Sequence, residues 1–270
     1  YSDPILKHKN ISSFYIGSGS IRTVFFQFFN SNIMILTMPD LDNTYIKKSK
    51  FCKNYIYVTH NICSIHMVFR KKAFNHYDTF FCVGPHHNKE LDETEKLYSL
   101  NIKKINFGYY KIDKLMNINS NRDLKIVVLA PSWGKNSIIE KYGDAILYEL
   151  SKLDWKIIIR PHPDTLIKNK KKYNLFKKKF SNAHNIEFHE NVASMNIYLD
   201  SSIMISDWSG AAFEFALGLE KPVIFIDVPK KINNEDFKLY NSIPFEVNFR
   251  EKIGKIIEIN QIREMISFHN

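Results

Sequence analysis

The sequence predicts an α/β fold built from two Rossmann-like domains that face each other across a cleft. Apolar runs of strand length alternate with helical stretches along the whole chain, and the alternation breaks only once, at the polar, Asn-rich connection LMNINSNRD (residues 115–123), before restarting. In the second unit the apolar runs also stop abruptly at polar turns, as strands of an open parallel sheet do where ligands bind. The boundary is therefore placed between residues 117 and 118, giving an N-terminal domain of 1–117 and a C-terminal domain of 118–270.

The first unit opens with residues 11–16, read as a strand, which run into Gly17-Ser18-Gly19-Ser20 and then a helix at 21–29. Three residues of Gly-Ser-Gly fall far short of a dinucleotide or Walker fingerprint, so a tight turn is expected there. Strands follow at 33–37 and 55–59, the latter ending at His60-Asn61. A histidine just beyond a buried strand suits acid–base chemistry, because its ordinary pKa lies near neutrality; a histidine that merely caps the strand fits the spacing equally well. Residues 64–77 are amphipathic, 79–83 form a strand, and Gly84-Pro85-His86-His87 heads a charged helix at 88–100. Neighbouring side chains on a helix diverge by about 100 degrees, so the two histidines are not expected to share a metal. A short strand at 104–107 leads into Gly108-Tyr109-Tyr110-Lys111-Ile112-Asp113.

The second unit begins with a strand at 125–130 that ends in Pro131-Ser132-Trp133-Gly134, then a helix at 137–153. In WKIIIRPHPDT the next strand, 156–160, stops at Arg160-Pro161-His162-Pro163, where two prolines force the chain out of the sheet. A basic helix, a strand at 186–189 and a segment at 192–199 precede the strand at 203–205. That strand runs into Ser206-Asp207-Trp208-Ser209-Gly210, a helix, and a further strand at 222–227. Residues 253–266 read as one or two helices that cross back or cover the cleft.

These turns gather groups suited to a nucleoside diphosphate bearing a transferable group. Arg160 can clamp phosphate oxygens bidentately and His162 can donate a hydrogen bond. The small residues Ser209, Gly210, Ala211 and Ala212 leave backbone amides accessible at the positive end of a helix dipole. Asp207 is assigned to helix capping or to orienting a neighbour, and Glu214, on the same side of the helix as Gly210, to ribose hydroxyls. No metal and no cofactor is required. Each residue has a structural alternative: Arg160 paired with Asp164 or Asp207, Ser209 as a plain cap, Trp133 as core. What favours the functional reading is that Pro131, Ser132, Trp133, Arg160, His162, Ser206 and Ser209 all follow carboxyl ends of strands in the same unit.

Composition sets the class of partner. The chain has 270 residues, 44% of them hydrophobic and 14% aromatic, enough for packed cores. Cys52, Cys63 and Cys82 show neither ligand spacing nor an even disulfide set and are expected to be reduced, buried thiols of a cytosolic protein. No run approaches the roughly 20 apolar residues that span a bilayer, and YSDPILKHKN lacks a signal-peptide core. The chain begins without Met, consistent with trimming upstream. A formal charge of +10, concentrated in KNKKKYNLFKKK (168–179), draws the protein towards a phosphorylated substrate, an acidic membrane face or nucleic acid, unless that run is simply a solvated helix face. Without an RNP, zinc-finger or helix-turn-helix signature, nucleic acid is not the expected partner.

In order and spacing, PSWG, RPHP and SDWSGAAFEFALGLEKPVIF resemble the CDP-glycerol glycerophosphotransferase family, the teichoic-acid polymerases and primases of the GT-B fold. YIYVTHN resembles the segment carrying that family's proposed catalytic histidine, and FFCVGPHHNKEL with INFGYYKIDKL its stretch leading to an interdomain Gly-Tyr-x-x-x-Asp. The resemblance spans residues 55–228. It implies that His60 acts as base on the acceptor hydroxyl, that Arg160, His162, Ser206, Ser209 and Gly210 hold the donor pyrophosphate, and that Pro131 to Trp133 lie near the nucleotide. It further implies transfer of glycerol phosphate or ribitol phosphate from a CDP-linked donor to a polysaccharide or lipid-linked acceptor, releasing CMP, by a cytoplasmic enzyme in peripheral contact with the membrane that builds wall or capsule polymer. Two features depart from the family: Asn61 stands where a glycine usually follows the histidine, and the long N-terminal membrane-targeting region of some members is not among these residues. A GT-B glycosyltransferase using a nucleotide sugar is the alternative, because the same anion-binding turns serve both donors.

Overall fold

Two wholly parallel sheets carry the chain in a computed structural model, described here over residues 8–17, 19–42, 46–120, 124–191 and 196–261. The first sheet has the order β1-β2-β3-β4, with β1 at Ser31–Leu36, β2 at Cys52–Val58, β3 at Thr79–Cys82 and β4 at Lys103–Asn106. The second comprises β5 (Ile126–Leu129), β6 (Lys156–Ile159), β7 (Ile186–Phe188), β8 (Ile203–Ser206), β9 (Val223–Ile226) and β10 (Gly254–Ile257), in the order β10-β9-β8-β5-β6-β7. Parallel strands covered on both faces need unbroken apolar runs, which IVVL and VIFI supply.

The topology of the second sheet creates the crevice. From β5 the chain steps outward through β6 and β7, then returns to place β8 on the opposite side of β5. The loops after β5 and β8 therefore part in opposite directions, which opens a gap at a topological switch point. Register brings them level: Leu129 pairs with both Ile159 and Ile205, so Pro131, Arg160 and Asp207 leave the sheet at one edge.

Helices cover the sheets according to their apolar spacing. α5 (Ile138–Leu150) buries Ile138, Ile139, Ile146, Leu147 and Leu150, one stripe of helical period. α9 (Gly210–Leu219) buries Ala212, Phe213, Phe215 and Leu219 and carries one charged side chain, Glu214. α4 (Tyr110–Met116) packs on α9 where Gly218 allows close approach: a Cβ there would lie 2.7 Å from Leu115 Cβ. At a second junction between the sheets, α10 (Phe245–Ile253) presents Glu246, whose buried carboxylate accepts from Ser64 N at 2.8 Å and Ser64 Oγ at 2.7 Å.

Several elements differ from expectation. Residues 11–16 form no strand: Phe14 and Tyr15 are 84% and 73% exposed, and β-propensity without a burial face does not hold a strand. The amphipathic stretch 64–77 is helical only over α2 (Ile65–Val68) and continues as turns, because the carbonyls of Met67 and Val68 accept from Asn233 instead of continuing a helix. The basic run divides into α6 (Pro163–Lys168) and α7 (Lys170–Lys179), and Lys172, Lys177 and Lys179 of α7 pair with Glu140, Glu190 and Asp144. In place of a helix from residue 253, β10 adds to the sheet beside β9; residues 262–270 and 192–195 lie outside the described residues. The helix at 245–253 has no counterpart in the sequence reading.

Gly218→Ala should destabilise the protein. Overpacking costs about 1–3 kcal/mol, which exceeds the gain of about 1 kcal/mol from replacing a helical glycine. A lower midpoint in thermal or urea unfolding is the expected result.

Candidate active site

A buried carboxylate shapes the switch-point crevice. Asp207, fully buried at the end of β8, accepts from Ser132 N at 2.7 Å and Ile138 N at 2.9 Å, so it ties the Pro131–Trp133 turn and the start of α5 to its own strand. Burial pushes its pKa up while the two amide bonds pull it down. Ser206 is equally buried and donates its hydroxyl to Ala130 O at 2.6 Å. Its side chain therefore serves the backbone of β5 and is not presented to a phosphate, a correction to the sequence expectation. Pro131 and Ser132 are buried, and Trp133 remains half-buried at the rim.

Arg160 and His162 emerge together from the end of β6. The Arg160 guanidinium donates through Nη1 to the Tyr198 hydroxyl and lies 4.7 Å over the Tyr198 ring, which restrains it against one wall. His162 caps α6: its Nδ1 accepts from Asp164 N at 3.1 Å and so carries no proton, leaving Nε2–H as a donor. Burial, then Lys231, then His60 and Arg160 lower its pKa to about 4 against the pull of Asp164. At neutral pH it is an uncharged hydrogen-bond donor.

His60 follows β2 on the other sheet and has the opposite tautomer. Its Nδ1 stands 3.2 Å from Thr37 O, and a carbonyl can only accept, so Nδ1 holds the proton and Nε2 the lone pair. Surrounding protein and Lys111 lower its pKa, opposed by the Thr37 bond and Glu214, although the residue keeps an open, solvent-facing side. The charge of His60 adds to the lowering of the His162 pKa, after burial and Lys231.

His60 is held by a link between α4 and α9. The Tyr109 hydroxyl lies 2.5 Å from Glu214 Oε1 and 3.0 Å from His60 O; its single proton serves the carboxylate first, the stronger acceptor. Lys111 Nζ reaches the same Oε1 at 3.1 Å and the same carbonyl at 3.4 Å. Glu214, expected to accept ribose hydroxyls, thus has Oε1 committed to joining the two sheets.

The start of α9 is more closed than its small residues suggest. Ser209 Oγ accepts from Ala211 N at 3.4 Å and Ser209 O from Ala212 N at 3.2 Å, so two of the three amides expected to face an anion are satisfied within the cap. Against Gly210 lies Asn61: its Oδ1 accepts from Cys63 N at 3.0 Å and stands 2.3 Å from where a Cβ on Gly210 would be. Neighbouring histidines do structural work, His86 Nε2 lying 2.8 Å from Ile62 O and His87 Nε2 3.0 Å from Cys63 O. Cys52, Cys63 and Cys82 are buried and unpaired, and burial raises the Cys63 thiol well above its ordinary value. Among the described residues no cluster of three or more His, Cys, Asp or Glu is arranged to hold a metal ion, and no helix is long and apolar enough to cross a membrane.

The structure therefore sets Trp133 against His162, with 6.1 Å between ring centroids, has Arg160 and His60 bear on the charge of His162, and buries Ser206 and Asp207. Sequence reasoning missed Tyr109 and Lys111, although the Gly-Tyr-x-x-x-Asp stretch marked their place, and missed Asn61 as a packing partner. It also missed Lys168 and Lys231, whose ammonium groups lie 3.9 and 4.3 Å from the Trp133 ring centroid. A lysine just past a strand's carboxyl end was the one available signal.

Comparison with known proteins bears on this arrangement. The model of a family described as CDP-Glycerol:Poly(glycerophosphate) glycerophosphotransferase matches residues 65–234. A teichoic acid poly(glycerol phosphate) polymerase of Bacillus spizizenii is 31% identical over 137 residues, covering 47% of this chain and 32% of that protein, so the chain spans about a third of that relative's length. Among solved structures, the Methanocaldococcus jannaschii UDP-GlcNAc 2-epimerase in complex with UDP-GlcNAc and UDP is 13% identical, with a TM-score of 0.48 over 80% of this chain and 62% of that one. The S. aureus MnaA–UDP structure is 15% identical, with a TM-score of 0.46 over 79% and 58%.

Two outcomes follow from the geometry. A histidine with a lowered folded pKa stabilises the fold above its unfolded value, near 6.5, and that contribution is lost as pH falls towards about 4. His162→Asn keeps a capping acceptor but removes the titration, so unfolding midpoints measured from pH 7 to 4 should fall less steeply than in the wild type; His60, His86 and His87, whose pKa values are also lowered, contribute to the remaining slope. Gly210→Ala should displace Asn61 and reduce donor affinity with little loss of helix content, read by nucleotide titration beside circular dichroism.

Proposed function

The chain belongs to the CDP-glycerol:poly(glycerophosphate) glycerophosphotransferase family, and on that premise we propose that it transfers a polyol phosphate, of glycerol phosphate or ribitol phosphate type, from a CDP-linked donor to a hydroxyl of a teichoic-acid-like acceptor. The observation that supports this reading is the pair of histidines with opposite tautomers, one from each sheet, the charge of one bearing on the other.

In the proposed reaction His60 Nε2 takes the proton of the acceptor hydroxyl, and the freed oxygen attacks the donor phosphorus that bears the polyol. The new P–O bond forms as the bridging P–O bond to the nucleotide breaks, and CMP leaves with that bond's electron pair. His162 Nε2–H and the Arg160 guanidinium donate to the phosphate oxygens, where negative charge gathers. A depressed His60 pKa supports the role of base, since the ring is unprotonated at neutral pH. In this reading residues 1–117 carry the acceptor side and residues 118–270 the donor side. The enzyme works in the cytoplasm in peripheral contact with the membrane and contributes to wall or capsule polymer; the exposed lysines of the basic run supply the attraction to an anionic surface or acceptor.

A donor screen tests it. CDP-glycerol and CDP-ribitol should yield CMP in the presence of acceptor, and UDP-sugars should yield no nucleotide. His60→Ala should lose about 10²–10⁴-fold in turnover while binding donor as before. Absence of CMP release from every CDP-polyol, or an alanine variant that turns over like the wild type, would sink the proposal.

A further inference from the structure

One cation in the crevice has no part in the reading above. Lys231 sits on the loop after β9, the strand next to β8, and this loop is pinned at both ends. At its start Val228 O accepts from Trp208 Nε1 at 2.8 Å. At its far end Asn233 N donates to Met67 O at 2.9 Å, Asn233 Nδ2 to Val68 O at 2.6 Å and Asn234 Nδ2 to His66 O at 2.9 Å. The loop is thus a strap from the second sheet to α2 of the first, and Lys231 lies between its anchors.

Lys231 shares its surroundings with other cations and with the carboxylates of Asp207 and Asp164. Its ammonium stands 4.3 Å from the Trp133 ring centroid, and Lys168 stands 3.9 Å from the same centroid. His162 lies against that indole, with 6.1 Å between ring centroids, and is pushed down by Lys231 and Arg160. The carboxylates that bear on Lys231 are already engaged: Asp207 accepts two backbone amides, and Asp164 pairs with Lys168 at 2.9 Å. Burial first, and Lys168 after it, lower the Lys231 pKa to about 8, against Asp207, Cys63 and Asp164. Cations held this close repel one another, and a multivalent anion placed among them relieves that repulsion.

We propose that Lys231 is a direct ligand of the donor's diphosphate, its ammonium held by Trp133 on the side of the crevice facing Arg160 and His162. This rests on the reading of the crevice as a nucleoside-diphosphate site, and it gives Trp133 a different task from base stacking. The indole face is a seat for ammonium groups. Phosphate binding at this seat would raise the Lys231 pKa and keep the group charged through the reaction.

Labelling and binding test the assignment on the whole chain. Trinitrobenzenesulfonate attacks uncharged amines, so at pH 8 Lys231 should be modified faster than the exposed Lys170, as read by peptide mass spectrometry, and CDP or inorganic pyrophosphate should suppress its labelling alone. Lys231→Met should weaken CDP binding by about 10–100-fold, the scale of a lost charge-assisted hydrogen bond, with acceptor KM unchanged. Lys231→Arg should retain affinity and shift the alkaline limb of donor binding upward from about pH 8. Labelling that CDP and pyrophosphate leave untouched, or a methionine variant that binds CDP like the wild type, overturns the assignment even if CDP-polyols are turned over. Protection and weakened binding without turnover of any CDP-polyol would uphold Lys231 and remove the proposed transfer.

Discussion

The contact between Glu214 and the pair Tyr109 and Lys111 is the constraint on which the rest of the site depends. Glu214 is the charged side chain of an otherwise apolar helix, and a buried carboxylate is tolerable only with partners. It finds them 105 and 103 residues away in sequence, on the segment leading out of the first sheet. Both partners also reach the carbonyl of His60, so neutralising one buried charge sets the position of the imidazole. Gly218 and Leu115 continue the same seam one helical turn further on, where the absent Cβ lets α4 come close.

Asp207 plays the corresponding part within the second sheet. A switch point opens a gap whose loops have no reason of their own to stay in place. By accepting two amides from the opposite loop, this carboxylate closes the floor of the gap and leaves Trp133 at its rim. The polar residues beneath the crevice therefore build its shape. Ser206 and Arg160 differ: the two strands that flank β5 lead into them, yet one hydroxyl turns in to a backbone carbonyl while the guanidinium lies across a tyrosine ring.

Polar contacts between the sheets go beyond this seam. Ser64 gives both its amide and its hydroxyl to Glu246, and the ring of His66, whose Nδ1 lies 3.0 Å from Glu90 on its own side, stacks 4.7 Å from Tyr240. Glu93 accepts from Ser242, and Asn233 and Asn234 bind the carbonyls of α2. Hydrogen bonds of this kind are directional, so they hold one relative placement of the sheets where apolar contact alone would tolerate several.

The sequence by itself determined the strands of both sheets except β10, and the turns that end them. Unbroken apolar runs such as IVVL, KIII and VIFI have few alternatives to a covered parallel strand, and prolines or glycines mark where they stop. It also carried the family, because PSWG, RPHP and SDWSG are contiguous. Where a run could be satisfied only by distant partners, local pattern misled: residues 11–16 have strand composition but no strand, and residues 254–257 join a sheet edge when read as helix. Tertiary structure alone decided which polar atoms face the crevice. Whether Ser209 caps its own helix, whether Ser206 turns inward, and whether Lys231 reaches Trp133 depends on rotamers and distances between segments far apart in the chain, and no local spacing encodes those.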